Sequence, residues 1–265
     1  CVETPWNDRI MKTDPFAFHC QTRPDNASRT YHIYDYPWND SAWYEFKNTH
    51  PHKTRPINVY EVNAGSWKKY DDGNFFGYRK LADELGIEIS SLATGLYWGT
   101  PLTHDDPAIR EKAKETVRFQ LKAAKLLGVD AILVVPGCVN ARFIEGCAEM
   151  PYDVVYDRAL EAMQELKKDA EEAGVVIALE NVWNKFLLSP LEMRDFIDKF
   201  DSPWVQSYFD VGNVMLTGYP EQWIKILGKR IKKVHFKGYR KNPGGVNAFV
   251  DLLAGDINYP EVVKA

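Results

Sequence analysis

Glu180, Asp210 and His235 each close an apolar, β-rich run, at residues 175–179, 205–209 and 231–234 respectively. A carboxylate in such a setting needs a partner, because burying it alone costs several kcal/mol. A divalent cation is the simplest partner that two carboxylates and an imidazole can share. The set lacks thiolates, so it suits Mn²⁺, Mg²⁺ or Co²⁺, with Zn²⁺ also admissible. Such an ion can bind the adjacent carbonyl and hydroxyl oxygens of a sugar and stabilise an enediolate, while a positioned carboxylate moves the carbon-bound proton. Taken singly these residues say little: a Glu after a strand is usually a solvated loop residue, and a lone His is usually a satisfied core residue. The signal is their recurrence at one relative position on successive runs, 25 to 30 residues apart.

Convergence of groups so far apart requires elements that end at a common place. Apolar runs at 87–93, 131–135, 175–179, 205–211 and 231–236 alternate with amphipathic stretches. Ile109, Ala113, Val117, Leu121, Ala124 and Leu127 step by three and four and share one helix face. That helix has Asp106 as N-cap, Pro107 at its first position and Gly128 beyond its end. A second helix is expected from about 153 to 173, stopping at Gly174. A third opens with the capping box Ser189-Pro190-Leu191-Glu192, and a fourth starts near Pro220 and carries Trp223, Ile224 and Leu227. This alternation predicts right-handed βαβ units around a parallel sheet covered on both faces. No Gly-rich phosphate turn follows the first run, so a barrel is favoured over a dinucleotide-binding sheet. In a parallel barrel the carboxyl ends of the strands meet at one rim, which would bring the three groups together.

The whole chain has 265 residues, 33 Lys+Arg against 37 Asp+Glu, and a net charge of −4. Hydrophobic residues at 45% exclude intrinsic disorder, and the slightly acidic balance argues against a broad nucleic-acid or anionic-membrane surface. No run of about 18 apolar residues predicts a membrane span. No basic-then-apolar leader opens the chain. Four cysteines without a CxxC pair read as thiols of a reducing cytoplasm. A start at Cys1 and a stop at Ala265 within a helical pattern suggest a fragment of something longer. Residues 1–85 differ in texture, holding 16 of the 35 aromatics and four of the six histidines among dense turn signals. There, residues 57–62 alternate as a strand and residues 78–85 read as a short helix.

Residues 86–265 resemble the xylose isomerase-like barrel family of sugar phosphate isomerases and epimerases, including its hexulose-6-phosphate isomerase-like and ketose 3-epimerase-like members. The segments that carry the resemblance are Ile132-Leu133-Val134-Val135-Pro136-Gly137, Ala178-Leu179-Glu180-Asn181-Val182, Phe209-Asp210-Val211-Gly212-Asn213 and Val234-His235-Phe236-Lys237. Leu81-Ala82-Asp83-Glu84-Leu85-Gly86 and Gly255-Asp256-Ile257-Asn258-Tyr259-Pro260 add to it. The resemblance implies a partial (β/α)8 TIM barrel of α/β class with about five βα units, the first two and the last strand missing. It implies a metal held by Glu180, Asp210, His235 and a second glutamate that would fall beyond Ala265. Glu180 would also be one of two acid/base carboxylates on opposite faces of the sugar. Asn181, Asn213, Lys237 and Arg240 become substrate contacts, and the partner a small sugar or sugar phosphate. Nucleic acid is not expected: the related barrel nuclease of abasic DNA needs several histidines, and residues 86–265 contain only His104 and His235.

Residues 1–80 do not follow that family. Asp14-Pro15-Phe16-Ala17-Phe18-His19, Arg23-Pro24-Asp25-Asn26-Ala27-Ser28, Trp38-Asn39-Asp40-Ser41-Ala42-Trp43 and the stretch from Ile57 to Lys68 resemble 1,4-α-glucan branching enzyme, where its β-sandwich module joins its barrel. The usual histidine after the Tyr-Glu-Val strand is Asn63 here, and that enzyme's catalytic carboxylates lie further downstream than this likeness reaches. Domains are therefore expected at 1–80 and 81–265. The stretch 78–85 fits both families, which points to a chimera joined between Tyr78 and Gly86. Five strands cannot close a barrel of eight, so exposed sheet edges, reduced solubility and reduced or lost turnover are expected. The expected function is a divalent-metal-dependent sugar or sugar-phosphate isomerase or epimerase. The alternatives are a branching-enzyme remnant that stacks α-glucan on its tryptophans, and a non-catalytic sugar-binding module.

Overall fold

The structure is a computed structural model; it describes residues 2–3, 9–10, 45, 70, 72–74, 77–86 and 88–265. The chain divides into two compact units, Cys1–Val62 and Asn63–Ala265. In the first, Val2–Glu3 pairs antiparallel with Arg9–Ile10. The turns expected before residue 57, the strand expected at 57–62 and the segments resembling branching enzyme lie outside the described residues.

In the second unit the expected helix at Tyr78–Leu85 forms (α1) and is followed by α2, Pro107–Leu127. Strands β1 (Ala131–Val134), β2 (Val176–Glu180), β3 (Val205–Asp210) and β4 (Ile231–His235) then alternate with α3 (Tyr152–Ala173), α4 (Pro190–Asp198) and α5 (Pro220–Leu227). The four strands lie side by side in chain order, and every pair is parallel. A two-stranded hairpin follows, β5 (Gly238–Tyr239) with β6 (Phe249–Val250), and then α6, Tyr259–Lys264. None of the described helices is long and apolar enough to cross a membrane.

Local chemistry sets these limits. Asp106 accepts a hydrogen bond from the Ala108 amide at 2.8 Å, Pro107 opens α2, and Gly128 closes it at φ 73°, where a side chain would be strained. Ser189 caps α4 through the Glu192 amide, and the Glu192 carboxylate reaches back to the Leu188 amide at 2.8 Å. α2 buries Ala113, Val117, Leu121 and Ala124, and α3 buries Val155, Ala159, Met163 and Leu166. Those stripes cover β1 to β3, whose apolar residues are buried almost throughout, as a sheet sandwiched by helices requires.

The first apolar run departs from expectation. Between 88 and 93 only Leu92 joins the sheet, through one parallel bridge to Ile132. Its amide donates to the Ala131 carbonyl at 3.3 Å, and its carbonyl accepts from Leu133 at 2.8 Å. Glu88 and Ser90 are exposed and Ile89, Ser91 and Leu92 are only partly buried, so this edge has little apolar surface with which to hold a longer ladder. The sheet is thus four strands with a one-residue fifth.

Candidate metal centre

β2, β3 and β4 end at Glu180, Asp210 and His235; the register sets Asp210 level with His235, and Glu180 stands two residues short of them, opposite Tyr208. One ligand atom from each of the three lies within 4.8 Å of the others. His235 Nδ1 stands 3.0 Å from Glu180 Oε1 and 3.6 Å from Asp210 Oδ2. Two donors held about 2.1 Å from one octahedral ion lie about 3.0 Å apart when adjacent and about 4.2 Å apart when opposite. The two spacings from His235 fall in that range, and all three donors lie within 4.8 Å, so a small adjustment lets the set take a divalent cation.

Asp210 is fully buried, and its two oxygens are treated differently. Oδ1 accepts from the Gly212 amide at 2.9 Å and the Asn213 amide at 2.8 Å. Oδ2 has no well-directed hydrogen bond; the Lys237 ammonium lies 2.7 Å from it, off the favoured direction. Lys237 reaches this place because Gly212 has no side chain: a Cβ there would sit 2.7 Å from the Lys237 Cβ. Burial alone would raise the Asp210 carboxyl, but His235, Lys237 and the Asn213 amide outweigh it and hold the group below the ordinary carboxylate range. Burial works against the charged imidazole of His235 too, and the Asp210 and Glu180 carboxylates more than offset it, raising His235 to about 9. At neutral pH the cluster is a buried carboxylate facing an imidazolium and an ammonium.

The amide of Asn181 continues the sheet where β2 stops. Its Nδ2 donates to the Asp210 carbonyl at 2.9 Å, and its Oδ1 accepts from the Asp210 amide at 2.8 Å. The side chain thereby makes the two bonds that a further residue of strand backbone would have made. Asn213 in turn donates from Nδ2 to the Asn181 carbonyl at 2.9 Å, and its own carbonyl accepts from the Trp183 indole at 2.8 Å.

The sequence-derived substrate contacts therefore separate. Lys237 lies on the cluster. Asn181 and Asn213 lie beside it, each with its Nδ2 donating to a backbone carbonyl. Arg240 is turned to the Ala254 carbonyl at 3.2 Å, and its backbone amide is tied to Ala248. Sequence reasoning passed over Tyr208 and Trp183. The Tyr208 ring is centred 4.4 Å from the imidazole, and its hydroxyl meets Ser91 at 2.9 Å. Inside an apolar run a tyrosine carries no signal of this; only its register opposite Glu180 reveals it.

A parallel β/α sheet that gathers ionisable groups at the carboxyl ends of its strands is the architecture of the (β/α) barrel class. The chain belongs to the xylose isomerase-like TIM barrel family, whose sequence model matches residues 57–265. Among solved structures, a D-tagatose 3-epimerase-like protein is 21% identical with a TM-score of 0.60, over 70% of this chain and 68% of that one. An L-ribulose 3-epimerase is 17% identical with a TM-score of 0.56, over 69% of this chain and 59% of that one. At these identities the likeness shows the fold. The 1,4-alpha-glucan branching enzyme of Bacillus caldolyticus is 44% identical over 84 residues, which are 32% of this chain and 13% of that enzyme.

Proposed function

We propose that Glu180, Asp210 and His235 hold a divalent cation, Mn²⁺, Mg²⁺ or Co²⁺, in an isomerase or epimerase of sugars or sugar phosphates. The observation that carries this reading is the meeting of the three donors within 4.8 Å around a buried Asp210 oxygen that lacks a well-directed hydrogen bond. Membership of the family and a fold shared with ketose epimerases support a sugar as the substrate. When bound, the ion supplies a Lewis acid for the adjacent carbonyl and hydroxyl oxygens of the sugar.

Each residue of the chain then has a task. Asp210, fixed by two backbone amides and by Asn181, sets the floor of the site. His235 would give up its proton and offer Nδ1 to the ion beside the Glu180 carboxylate, 3.0 Å away. Glu180, less deeply buried than Asp210, takes the proton from the carbon beside the carbonyl and leaves an enediolate. Returning that proton to the neighbouring carbon, with the hydroxyl proton passing between the two substrate oxygens, gives isomerisation without a second carboxylate. Inverting the original carbon needs a second proton donor on the opposite face, the role that family resemblance assigns to a further glutamate. Lys237, whose ammonium lies 2.7 Å from Asp210 Oδ2 at the end of a partly exposed side chain, would be released by an ion held at Asp210 and could then bind substrate oxygens.

Calorimetric titration of the 265-residue chain with Mn²⁺ tests the site. One ion is expected to bind, and Glu180→Gln or His235→Ala to weaken it at least tenfold. Absence of binding, or unchanged binding in both variants, overturns the reading. Deuterium exchange from D2O into the carbon beside a ketose carbonyl reports the chemistry. A cytoplasmic location is part of the same proposal, and four cysteines without a CxxC pair support it. The 84-residue likeness to branching enzyme favours a joined origin for the chain, and amplification of one transcript across residues 78–86 tests it.

A further inference from the structure

Beside the metal centre opens a cavity of about 500 Å³, formed by the loops that follow β1, β2 and β3 together with Gly245 and Val246. Its inner walls are Trp183, Phe186, Val214 and Trp223. At its mouth Phe143, Leu188, Leu216 and Val246 are each 43–56% exposed. Four large apolar side chains left in water around one hollow mark a surface meant to be covered.

The cavity is continuous with the rim. Asn181 and Asn213 line it and also touch Asp210, so one ligand can reach both places. They add little polarity to its interior, because the Asn181 side chain is turned to the Asp210 backbone through both Nδ2 and Oδ1 and the Asn213 Nδ2 to the Asn181 carbonyl. Its two cations, Arg142 and Lys185, are exposed and keep their charges in water.

The wall is also held in place in advance. Lys185 and Leu187 adopt φ of 56° and 53°, a left-handed conformation that costs a side-chain-bearing residue about 1–3 kcal/mol. The loop keeps it because Asn184 donates to the Gly137 carbonyl at 2.6 Å and accepts from the Phe186 amide at 3.1 Å, while the Leu187 amide donates to the Tyr152 hydroxyl at 3.1 Å. Strain retained by such bonds clusters at ligand clamps.

We infer that this cavity receives an apolar group carried by the sugar, and that the substrate class is a sugar bearing an aryl or alkyl substituent, such as a glycoside. This rests on the reading of the rim as a sugar site. The hydroxyls of an unsubstituted sugar would be desolvated against Trp223, Phe186 and Leu216 without partners, whereas an amphipathic ligand meets the polar rim with one end and the apolar hollow with the other.

Saturation-transfer NMR on the full chain, loaded with Mg²⁺ and then stripped of metal, tests the inference. The probes are the phenyl glycosides of D-glucose, D-galactose and D-xylose, with the methyl glycosides as controls. Saturation is expected on the phenyl protons, with binding about ten- to a hundredfold tighter than for the methyl glycosides, the gain from burying one phenyl ring. Leu188→Asp and Leu216→Asp, both at exposed positions that the fold does not need, should each abolish the preference. No phenyl saturation with any of the three sugars overturns the inference, as does saturation that survives both substitutions. A phenyl preference that persists in a chain unable to bind Mn²⁺ leaves the cavity standing and sinks the metal reading instead. Mn²⁺ binding without a phenyl preference does the reverse.

Discussion

Replacing Asn181 by Ala separates two roles that its position would allow. The side chain makes two hydrogen bonds to the backbone of Asp210, which fix its orientation. Removing it orphans one amide and one carbonyl beside a fully buried carboxylate. Each orphaned group costs about 1–3 kcal/mol, and the adjoining cavity lets water reach part of the gap, so the loss should be about 2–3 kcal/mol in all. The end of β3 also loses its tie to β2, so Asp210 no longer holds its oxygen against His235. Mn²⁺ affinity should fall about tenfold, the effect of removing a support behind a ligand. Urea unfolding, with and without Mn²⁺, and calorimetric titration measure both quantities on one preparation. Asn181→Asp is the companion variant: it can still accept from the Asp210 amide, but it loses the donor and buries a further carboxylate, so it should be worse than Ala. If Asn181→Ala unfolds at the same urea concentration and binds Mn²⁺ as before while sugar binding is lost, Asn181 is a substrate contact and the ladder argument is wrong.

Two further outcomes follow from the same geometry. Lys237→Met removes the ammonium that competes for Asp210 Oδ2. Asp210 is buried but the Lys237 end is partly exposed to solvent screening, so the competition is set at about 1 kcal/mol and Mn²⁺ should bind about two- to fivefold more tightly; weaker binding would show that Lys237 supports the site instead. Cys138 and Cys147 lie with their sulfurs 3.7 Å apart, but burial, and then its neighbour, push the Cys138 thiol up to about 12. It therefore stays neutral at pH 8, and iodoacetamide should label Cys147 first. The Cys138 rate should rise about tenfold per pH unit up to pH 11. Peptide mapping that finds both labelled equally at pH 8 would refute this.

How much of this could be read beforehand depended on the range of the physics involved. Helix ends were legible because capping is local: Asp106, Pro107, Gly128, Ser189 and Gly174 act within a few residues of themselves. The apolar runs at 131–135, 175–179, 205–211 and 231–236 were legible because a sheet covered on both faces has little room for polar side chains. The run at 87–93 looked the same in composition, yet pairing depends on what covers a strand. Its exposed Glu88 and Ser90 left it with a single bridge. The convergence of Glu180, Asp210 and His235 followed from topology, since the carboxyl ends of the strands of a parallel barrel gather at one rim even where neighbours differ by a residue or two in length.

The polar detail around the cluster was not legible, and the reason lies in Asn181. From sequence, an amide beside a ligand-type carboxylate suggests a group offered to substrate. Its orientation is decided by which backbone groups the neighbouring strand leaves unpaired, and that depends on β2 ending at the level of Tyr208 while β3 runs on to Asp210. Spacing cannot supply a register offset of this kind. The loop that follows the shorter strand, Asn181 to Leu188, also walls the cavity, with Lys185 and Leu187 in the left-handed region, Trp183 bonded to Asn213 and Asn184 to Gly137. The end of β2, two residues before that of its neighbour, thus bears on both the orientation of the buried carboxylate and the apolar wall beside it. A substitution that lengthened β2 should disturb metal binding and ligand preference together.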